Sequence, residues 1–566
     1  MASGQQDEVL SHYLLVFCGM VIAAVATWKT INAIIGFSRM LLCIDNPYQR
    51  YFTKASPSLA NFKRHVLEAP IFRKRHNQEL RIHSRISFGT LPTRLQLVLM
   101  LAYFSMNLAF SIVGIGFNRS YDEFFTLIGS RTGVLATINM IPLFLLASRN
   151  NPLTPYLGIP FDLHNFFHRW LGRIVALEAL AHTMAHLARS RFSRESLEMM
   201  TSPSEPFFMW GFIGTAALIG LCIQAWKPLR HAAYEIFKIL HVGLAGLAIA
   251  GLWYHLMVGE LAQIKYLFVI ISFWAADHVI RGLRIAYLNI GISGSATTVE
   301  ALPGDACRLV ISMPRAWSPR PGQHAYLYMP GISLWQSHPF SIAWTDERND
   351  LMPDRLFSDI QHSAAIRKPQ LSFVIRARTG MTKSLYRKAL ATPGGITKIM
   401  CLVEGPYGVG NSLNSYGTVI FFAGGVGITH HLLYIRDLMV GIDEGTVAAR
   451  KILLIWSIQH FEHFEWVMPW IKQLQALDEK NETLRIMIFV SRRHSLDMIP
   501  NPSFQGTVFC NRPNIGTLVA KEQEQQIGAM AVVSCGPGGF SDEVRQVVRA
   551  HQSKSNIDLI EESFSI

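Results

Sequence analysis

The spacing of apolar residues divides this chain into two halves. In the first half, each long apolar run is close to the roughly 20 residues that an α-helix needs to cross the hydrocarbon core of a membrane. These runs lie at 11–27, 95–116, 132–148, 168–188, 207–226, 236–256 and 264–280. After residue 290 the runs are short and separated by Pro and Gly, which is typical of strands. The pattern predicts about seven membrane-spanning helices followed by a soluble half of two domains.

Composition and charge support this division and orient it. Half of the residues are apolar and 16% are charged, a balance that is rare in a soluble protein of this length. The loop between Lys29 and Arg85 is rich in Lys and Arg, which places it in the cytoplasm by the positive-inside rule. With seven spans, the N-terminus is then outside and the C-terminal half is cytosolic. Membrane lipid is the expected surrounding, a nucleic-acid partner is not predicted, and no obligate subunit can be read from the chain.

The predicted external loops carry two weaker signals. None of the seven cysteines falls in these loops and none has CxxC spacing, so neither a disulfide framework nor a thiolate metal site is indicated. One external loop contains Asn118-Arg119-Ser120, which is a possible N-glycosylation site. Such tripeptides also occur by chance, and this one is close to the membrane.

Four histidines in two of the predicted spans share one spacing. His168 and His182 are fourteen residues apart, and so are His241 and His255. Fourteen residues make almost four helical turns, so each pair lies on one helix face with its members about 21 Å apart. Imidazole is an axial ligand of haem iron. The matched spacing therefore predicts two stacked haems, one between the first histidines of the two helices and one between the second.

Other interpretations of these histidines stay open. His164 and His186 lie on the same helix face and are rival ligands, although only the 168/182 register matches the spacing of the second helix. A single histidine in a membrane helix can also relay protons or simply form a packing hydrogen bond.

The start of the soluble half has the pattern of a flavin-binding barrel. From about 296 to 345, alternating apolar and polar residues with turn residues between them predict a small antiparallel barrel. The tetrapeptide at 338–341 closes one strand with polar and aromatic side chains suited to an isoalloxazine ring. Downstream, Arg376 and the residues at 380–382 offer a guanidinium, backbone amides and a hydroxyl to a pyrophosphate.

The last part of the chain predicts a parallel α/β sheet. The continuous apolar run at 418–423 is typical of a buried parallel strand, and a glycine-rich turn at 424–429 leads into a helical pattern. Such a turn allows a phosphate to approach a helix N-terminus, although glycine-rich turns are often only structural and this one is not GxGxxG. The strand at 531–534 ends in a second glycine-rich loop, at the sheet edge where such folds bind ligands.

A pair of arginines bears on the choice of nucleotide. Arg492 and Arg493 also follow a strand, and they are candidates to pair with the 2′-phosphate of NADPH. Solubility explains two surface arginines equally well.

Taken in order, the motifs resemble those of the fungal ferric-chelate reductases, which share a superfamily with the NADPH oxidases. They are FHRWLGR around His168, the second histidine pair, HPFS at 338–341, GPYG at 405–408, GGVGIT at 424–429 and CGPGGF at 535–540. The resemblance runs from about residue 95 to the C-terminus. It implies a multi-domain membrane protein with an α-helical di-haem domain, an antiparallel β-barrel FAD domain and a parallel-sheet NADP domain, the last two like those of ferredoxin reductases. The expected domains are 1–92 (first span and basic loop), 93–285 (haem), 290–412 (FAD) and 415–566 (NADPH).

The residue patterns and the resemblance together assign candidate contacts to each cofactor. Two b-type haems are assigned to His168, His182, His241 and His255; FAD to His338, Pro339, Phe340, Ser341, Arg376, Gly380, Met381, Thr382 and the near-terminal Phe564; and NADPH to Gly424, Gly425, Val426, Gly427, Thr429, Arg492, Cys535, Gly536 and Pro537.

The resemblance further implies an activity. NADPH would reduce FAD in the cytosol, and electrons would then cross the membrane through the inner and outer haems. Ferric chelates, or cupric ions, would be reduced outside the plasma membrane, and the product would pass to a separate iron uptake system. No general acid or base is expected, because the cofactors supply the chemistry. The alternatives are a superoxide-generating NADPH oxidase and a histidine-lined transporter or channel with a nucleotide-sensing domain.

Overall fold

The structure of the chain is a computed structural model. It describes residues 3–72, 76–83, 86–116, 118–190, 205–291, 296–315, 317–334, 336–346, 369–478, 480, 482–492 and 504–562. The chain forms two compact units, one of Met1–Thr30 with Glu79–Ile280 and one of Ile31–Gln78 with Arg281–Ile566.

Long helices build the first unit. They are α1 (Ser3–Cys43), α2 (Arg94–Ile112), α3 (Tyr121–Ala147), α4 (Phe161–Ser190), α5 (Pro206–Gln224), α6 (Tyr234–Val258) and α7 (Ile264–Asn289), of which α1 and α7 run on into the second unit. A two-stranded hairpin, β1 (Leu80–His83) with β2 (Ile86–Gly89), precedes α2. Among the described residues, six of the long helices are apolar enough to span a membrane by length and composition. The helix outside that set is α4, which carries four histidines and several charged residues. The sequence predicted about seven long helices, and the structure confirms this prediction.

Several buried polar side chains of the first unit are paired with one another. Asp7 and Arg131 are both at most 2% exposed and form an ion pair of 2.5 Å. Asn139 donates hydrogen bonds to Asn107 at 2.6 Å and to the buried carboxyl group of Glu178 at 2.9 Å. Pairing of this kind is what a low-dielectric interior demands, because an isolated charge there is costly.

Two antiparallel sheets form the first part of the second unit. The strands are β3 (Ala296–Leu302), β4 (Ala306–Ser312), β5 (His324–Tyr328), β6 (Ser337–Ser341), β7 (Trp344–Asp346), β8 (Gln370–Arg376), β9 (Ile396–Ile399) and β10 (Leu402–Tyr407). Their order is β10-β5-β6 in one sheet and β7-β8-β4-β3-β9 in the other. Helix α8 (Gly380–Leu390) follows β8. This arrangement confirms the predicted antiparallel FAD-type domain.

A six-stranded parallel sheet forms the rest of that unit. Its order is β14 (Thr507–Phe509), β13 (Leu484–Val490), β12 (Lys451–Ile458), β11 (Thr418–Gly424), β15 (Met530–Cys535) and β16 (Ile557–Glu562). The helices are α9 (Ile428–Asp443), α10 (Met468–Leu477), α11 (Ile515–Glu524) and α12 (Gly538–His551). Alternate residues of β11 enter two different cores, Phe421 one and Phe422 the other. Burial on both faces explains the continuous apolar run and confirms the predicted α/β domain.

The structure corrects one expected boundary. Residues 1–92 were expected to form a separate segment, but Ile31–Gln78 belongs to the second unit. The physical reason is a set of hydrogen bonds to the parallel-sheet domain. Gln49, for example, is 1% exposed and donates to Ala448 O at 2.6 Å.

Candidate functional site

The structure brings the four predicted histidines of the first unit together in two pairs. The ring centres of His168 and His241 are 6.2 Å apart, and those of His182 and His255 are 6.1 Å apart. The first histidine of α4 thus faces the first of α6, and the second faces the second. Equal spacing on two helices that run in the same direction produces this match.

Three of these imidazoles have Nδ1 against a backbone carbonyl oxygen of a neighbouring helix. The Nδ1–O distances are 3.1 Å from His168 to Leu143, 2.7 Å from His182 to Gly129 and 2.9 Å from His255 to Phe207. A carbonyl oxygen only accepts, so Nδ1 carries the proton and Nε2 keeps its lone pair. Metal-bound histidines are commonly oriented in this way.

The fourth imidazole has a side-chain partner. His241 Nδ1 lies 2.6 Å from Gln224 Nε2, and Gln224 Oε1 is buried without a hydrogen-bond partner among the described residues. A half-turn of this amide exchanges two atoms of similar size and places Oε1 where it accepts from Nδ1–H. In that orientation the buried oxygen has a hydrogen-bond partner. Nε2 of His241 then keeps its lone pair, as in the other three histidines.

The spacing of the pairs fits a shared iron atom. A metal–imidazole nitrogen bond of roughly 2 Å on each side, with about 1 Å more to each ring centre, separates the two ring centres by about 6 Å. Both observed separations have this value. The four residues therefore fit two bis-histidine haem sites.

Glycines in neighbouring helices make room for the imidazoles. A Cβ atom at Gly133 would lie 2.6 Å from His182 Nδ1, and one at Gly211 would lie 3.0 Å from His255 Nδ1. Both distances are shorter than ordinary van der Waals contact. Sequence reasoning missed these glycines and Gln224. The available signals were glycines and a lone amide inside apolar runs.

The rival histidines of α4 have other surroundings. His164 is 1% exposed, and its Nδ1 lies 3.5 Å from Thr154 Oγ1. The ring of His186 packs edge-on against His182 at 4.7 Å. Within the described chain, only His168 and His182 of α4 make ring contact with histidines of α6.

In the second unit, the predicted FAD residues lie on two neighbouring segments. The tetrapeptide at 338–341 is in β6, where Ser341 pairs with His324 of β5. Arg376 ends β8, and Gly380 begins α8 with a φ of +57° and open space where a Cβ would be. Thr382 Oγ1 accepts from Arg378 N at 3.1 Å, which fixes the turn. The open helix N-terminus fits a pyrophosphate, whereas Met381 is buried in the core. Phe564 lies outside the described residues.

The two glycine-rich loops predicted to bind NADPH meet at the carboxyl ends of β11 and β15, which are adjacent strands. A Cβ at Gly424 would lie 2.6 Å from Pro537 Cδ, and one at Gly536 would lie 3.0 Å from Gly424 Cα. A Cβ at Gly427 would lie still closer to Cys535 O and would collide with it. Gly425, in contrast, has a φ of +55° and open space around it, which fits a ligand phosphate at the start of α9.

The other residues of these loops are internal. Val426 O accepts from Thr429 Oγ1 at 2.9 Å, which fixes the turn. Burial holds the pKa of the Cys535 thiol well above its usual range, so the thiol is neutral.

A histidine that sequence reasoning did not single out lies directly after the GGVGIT motif. His430 is 4% exposed, and its Nδ1 has no hydrogen-bond partner in the described part of the chain. Burial, with smaller effects of His431 and His324, holds the pKa of His430 well below its ordinary value. Its ring packs against those of His431 and Tyr434, with ring centres 5.5 and 5.4 Å apart.

Two predicted surface residues are exposed. Arg492 follows β13 and its side chain is exposed, so it is accessible to a 2′-phosphate; Arg493 lies outside the described residues. Asn118 is exposed in the loop before α3, where Ser120 caps the helix.

Comparisons with known proteins agree along the length of the chain. Three family models match: a ferric reductase like transmembrane component at residues 132–252, an FAD-binding domain at 292–355 and a ferric reductase NAD binding domain at 416–549. Ferric/cupric reductase transmembrane component 2 of Saccharomyces cerevisiae is 25% identical over 550 residues, which are 91% of this chain and 72% of that protein. A probable ferric reductase transmembrane component of Candida albicans is 26% identical over 560 residues, 92% and 78% of the two chains. Among solved structures, the ferredoxin reductase of carbazole 1,9a-dioxygenase is similar to part of this chain. The match covers 48% of this chain and 69% of the reductase chain, with 13% sequence identity and a TM-score of 0.32.

Proposed function

The chain belongs to the ferric reductase family, and from this premise we propose that it is a transmembrane metalloreductase that uses cytosolic NADPH, with bound FAD and two b-type haems, to reduce ferric chelates outside the cell. As an oxidoreductase with FAD- and NAD-binding domains, it needs a route for electrons across the membrane. The observation that carries the proposal is the pair of facing histidine pairs in α4 and α6.

The chain's own residues bind and orient. Nε2 of His168 and His241 would hold one haem iron and Nε2 of His182 and His255 the other, while the Nδ1 acceptors keep each ring in the required tautomer. The chemistry that the bound groups supply is hydride acceptance by FAD and single-electron transfer by the haems. No proton transfer by a side chain is required at the histidine pairs.

In the soluble half, separate groups of residues would hold FAD and NADPH. The turn at Gly380 with Arg376 would hold the FAD pyrophosphate, and the HPFS strand would lie beside the isoalloxazine ring. Gly425 and the adjoining loop at 535–537 would hold NADPH at the carboxyl edge of the parallel sheet. Arg492, exposed at the same edge, would favour NADPH over NADH by pairing with the 2′-phosphate.

Charge supports the orientation in the membrane. The basic residues of the 29–85 loop favour a cytosolic position for it and for the C-terminal half. The His182/His255 pair would then lie toward the outside of the plasma membrane. Ferric chelates are the proposed substrates, and the name of the Saccharomyces relative adds cupric ions. A separate uptake system would consume the reduced metal.

The test is the reduction of a membrane-impermeant ferric chelate by cells that express the chain, with and without superoxide dismutase in the medium. Cells that express the His182→Ala variant give the background. We expect reduction that the dismutase does not change, because the metal receives electrons directly. Loss of reduction with the dismutase would overturn the proposal in favour of a superoxide-generating oxidase. A purified chain without haem absorbance would instead favour a transporter or channel.

A further inference from the structure

The segment that follows α1 is docked along the parallel-sheet domain. We call residues 44–78 the strap; of these, 44–72 and 76–78 are described. Near its start, Gln49 donates to Ala448 O at 2.6 Å, and Thr53 O accepts from Asn556 N at 2.9 Å. Lys63 forms an ion pair with Asp558 of β16. Charge alone predicted a cytoplasmic loop here, but these contacts show a fixed element of the second unit.

The strap then follows α12 toward the N-terminus of that helix. Arg549 donates to Arg64 O at 2.9 and 2.7 Å, and Gln552 donates to the Glu68 carboxyl group at 2.7 Å. One to two turns closer to the start of the helix, Arg545 donates to Glu68 O at 3.2 Å. Each contact is made by a side chain of α12 or of the residue just after it.

The contact closest to the nucleotide site is made by Asp542. Its carboxylate is 5% exposed and accepts from three successive backbone amides of the strap. The distances are 3.1 Å to His76 N, 2.7 Å to Asn77 N and 2.8 Å to Gln78 N. Hydrogen bonds to a carboxylate are stronger than neutral ones, and a buried carboxylate without them would carry a large desolvation cost. Asp542 therefore ties the end of the strap to the first turns of α12.

A direct packing contact connects this end of the strap with the predicted NADPH loop. A Cβ atom at Gly538 would collide with Asn77 O, so the strap lies directly on that glycine. Gly538 follows the loop at 535–537, and Pro537 in turn packs against Gly424 of the other glycine-rich motif. Gly539, one residue on, has its closest strap atom at 3.8 Å from a Cβ position, which is an ordinary contact.

We propose that the strap is a positioning element of the pyridine-nucleotide site, and that Asp542 is the residue through which it holds the loop at 535–538 in the conformation that binds NADPH. The inference rests on the proposed function. It adds a determinant of nucleotide affinity outside the glycine motifs. Linkage is reciprocal: if docking of the strap favours NADPH binding, NADPH binding favours docking of the strap by the same factor.

The first test is stopped-flow reduction of the bound flavin of the full chain by increasing NADPH concentrations. It gives an apparent dissociation constant and a limiting rate, and it needs neither haem nor iron. We expect Asp542→Ala and Gly538→Ala to raise the dissociation constant about tenfold with little change in the limiting rate, within the usual range of coupling between sites. The matched controls are Glu543→Ala, an exposed acid on the same helix, and Gly539→Ala; both keep the wild-type constant.

The second test uses the unaltered chain. Amide hydrogen exchange at residues 76–78 is measured with and without NADP⁺, and we expect it to slow when the nucleotide is bound. Equal constants in all four variants, or exchange that NADP⁺ does not change, would overturn the inference. A chain that reduces its flavin normally but reduces no ferric chelate would end the metalloreductase proposal and leave this test intact.

Discussion

The histidine pairs of α4 and α6 and the surface of α12 both hold polar side chains against backbone groups, but the side chains are tightly packed imidazoles in the first region and charged groups in the second. Around the histidines, imidazole N–H groups donate to backbone carbonyls of other helices. Along α12, side chains such as Asp542 and Arg549 bind backbone groups of the strap. Glycines in neighbouring helices leave little room beside the imidazoles, whereas the side chains of α12 hold the strap by their charges. The first region should therefore be sensitive to added bulk, and the second to the loss of one charge.

The largest expected effect is the loss of a ligand. His182→Ala or His255→Ala should reduce the external reduction of ferric chelate to background, since one of the two proposed haem sites loses an iron ligand. Flavin reduction by NADPH should stay normal, because its residues are in the other unit. Both rates are measured on the same membrane preparation. Normal external reduction in either variant would exclude the proposed electron path.

Added bulk beside the same histidine should have the next largest effect. A Cβ at Gly133 would lie 2.6 Å from His182 Nδ1, so Gly133→Ala should displace that ring and remove one of the two haems. Gly19→Ala in α1 is the control, because a Cβ at this glycine of another apolar helix would have no atom within 4 Å. Alanine in place of glycine favours a helix by up to about 1 kcal/mol, so a general loss of helix stability is not expected. The measurement is the haem content of each purified variant. Equal haem content in Gly133→Ala and in the control would contradict the proposed role of Gly133.

The side-chain acceptor within the histidine region should show an intermediate effect. Gln224→Leu removes the acceptor of His241 Nδ1–H, and loss of such a partner typically costs about 10–100-fold in metal affinity. Gln224→Glu retains an acceptor and is the control. Haem retention is measured during dilution into detergent. If both variants retain haem like the wild type, His241 is not oriented by Gln224.

The smallest effect concerns the strap and pH. Burial raises the pKa of Glu68 to about 7, against an ordinary value of 4.5, although Gln552 and Arg545 partly oppose the shift. Between these two values the folded chain keeps the proton and the unfolded chain loses it. Stability therefore falls as pH rises through this window and is constant above it, a change of about 3 kcal/mol over the whole window.

Glu68→Gln imitates the neutral carboxyl group and should remove that slope. Thermal unfolding of the full chain at pH 5 and pH 7.5 is the measurement, with exposed Glu543→Gln as the control. A melting temperature that falls with pH equally in the wild type and Glu68→Gln would show that Glu68 is not the group responsible.

The two regions also differ in how far the sequence predicts them. Fourteen-residue spacing on two helices was sufficient to predict which histidines meet, because helical periodicity is a local property. The acceptors were not predictable in the same way. Gly129 is 53 residues from His182, and its carbonyl carries no side-chain signature. The glycine-rich motifs were placed correctly at strand ends, since a buried strand followed by glycine is a local pattern too.

The strap shows most clearly what the sequence alone does not predict. Asp542 binds backbone amides of residues 76–78, and any residue other than proline has an amide. The strap therefore needs no particular side chain at those positions, and no motif marks the contact. Its basic residues predicted only a side of the membrane. Where the strap docks depends on how the folded chain places α12 beside a segment more than four hundred residues earlier.

The most direct measurement is haem content per chain in purified protein, determined for the wild type and for alanine variants of the four histidines of α4. The account predicts two haems in the wild type and in His164→Ala and His186→Ala, but one in His168→Ala and in His182→Ala. Loss of haem from His164→Ala or His186→Ala with full retention in the other two would contradict the proposed pairing, and a wild-type chain without haem would contradict the account as a whole.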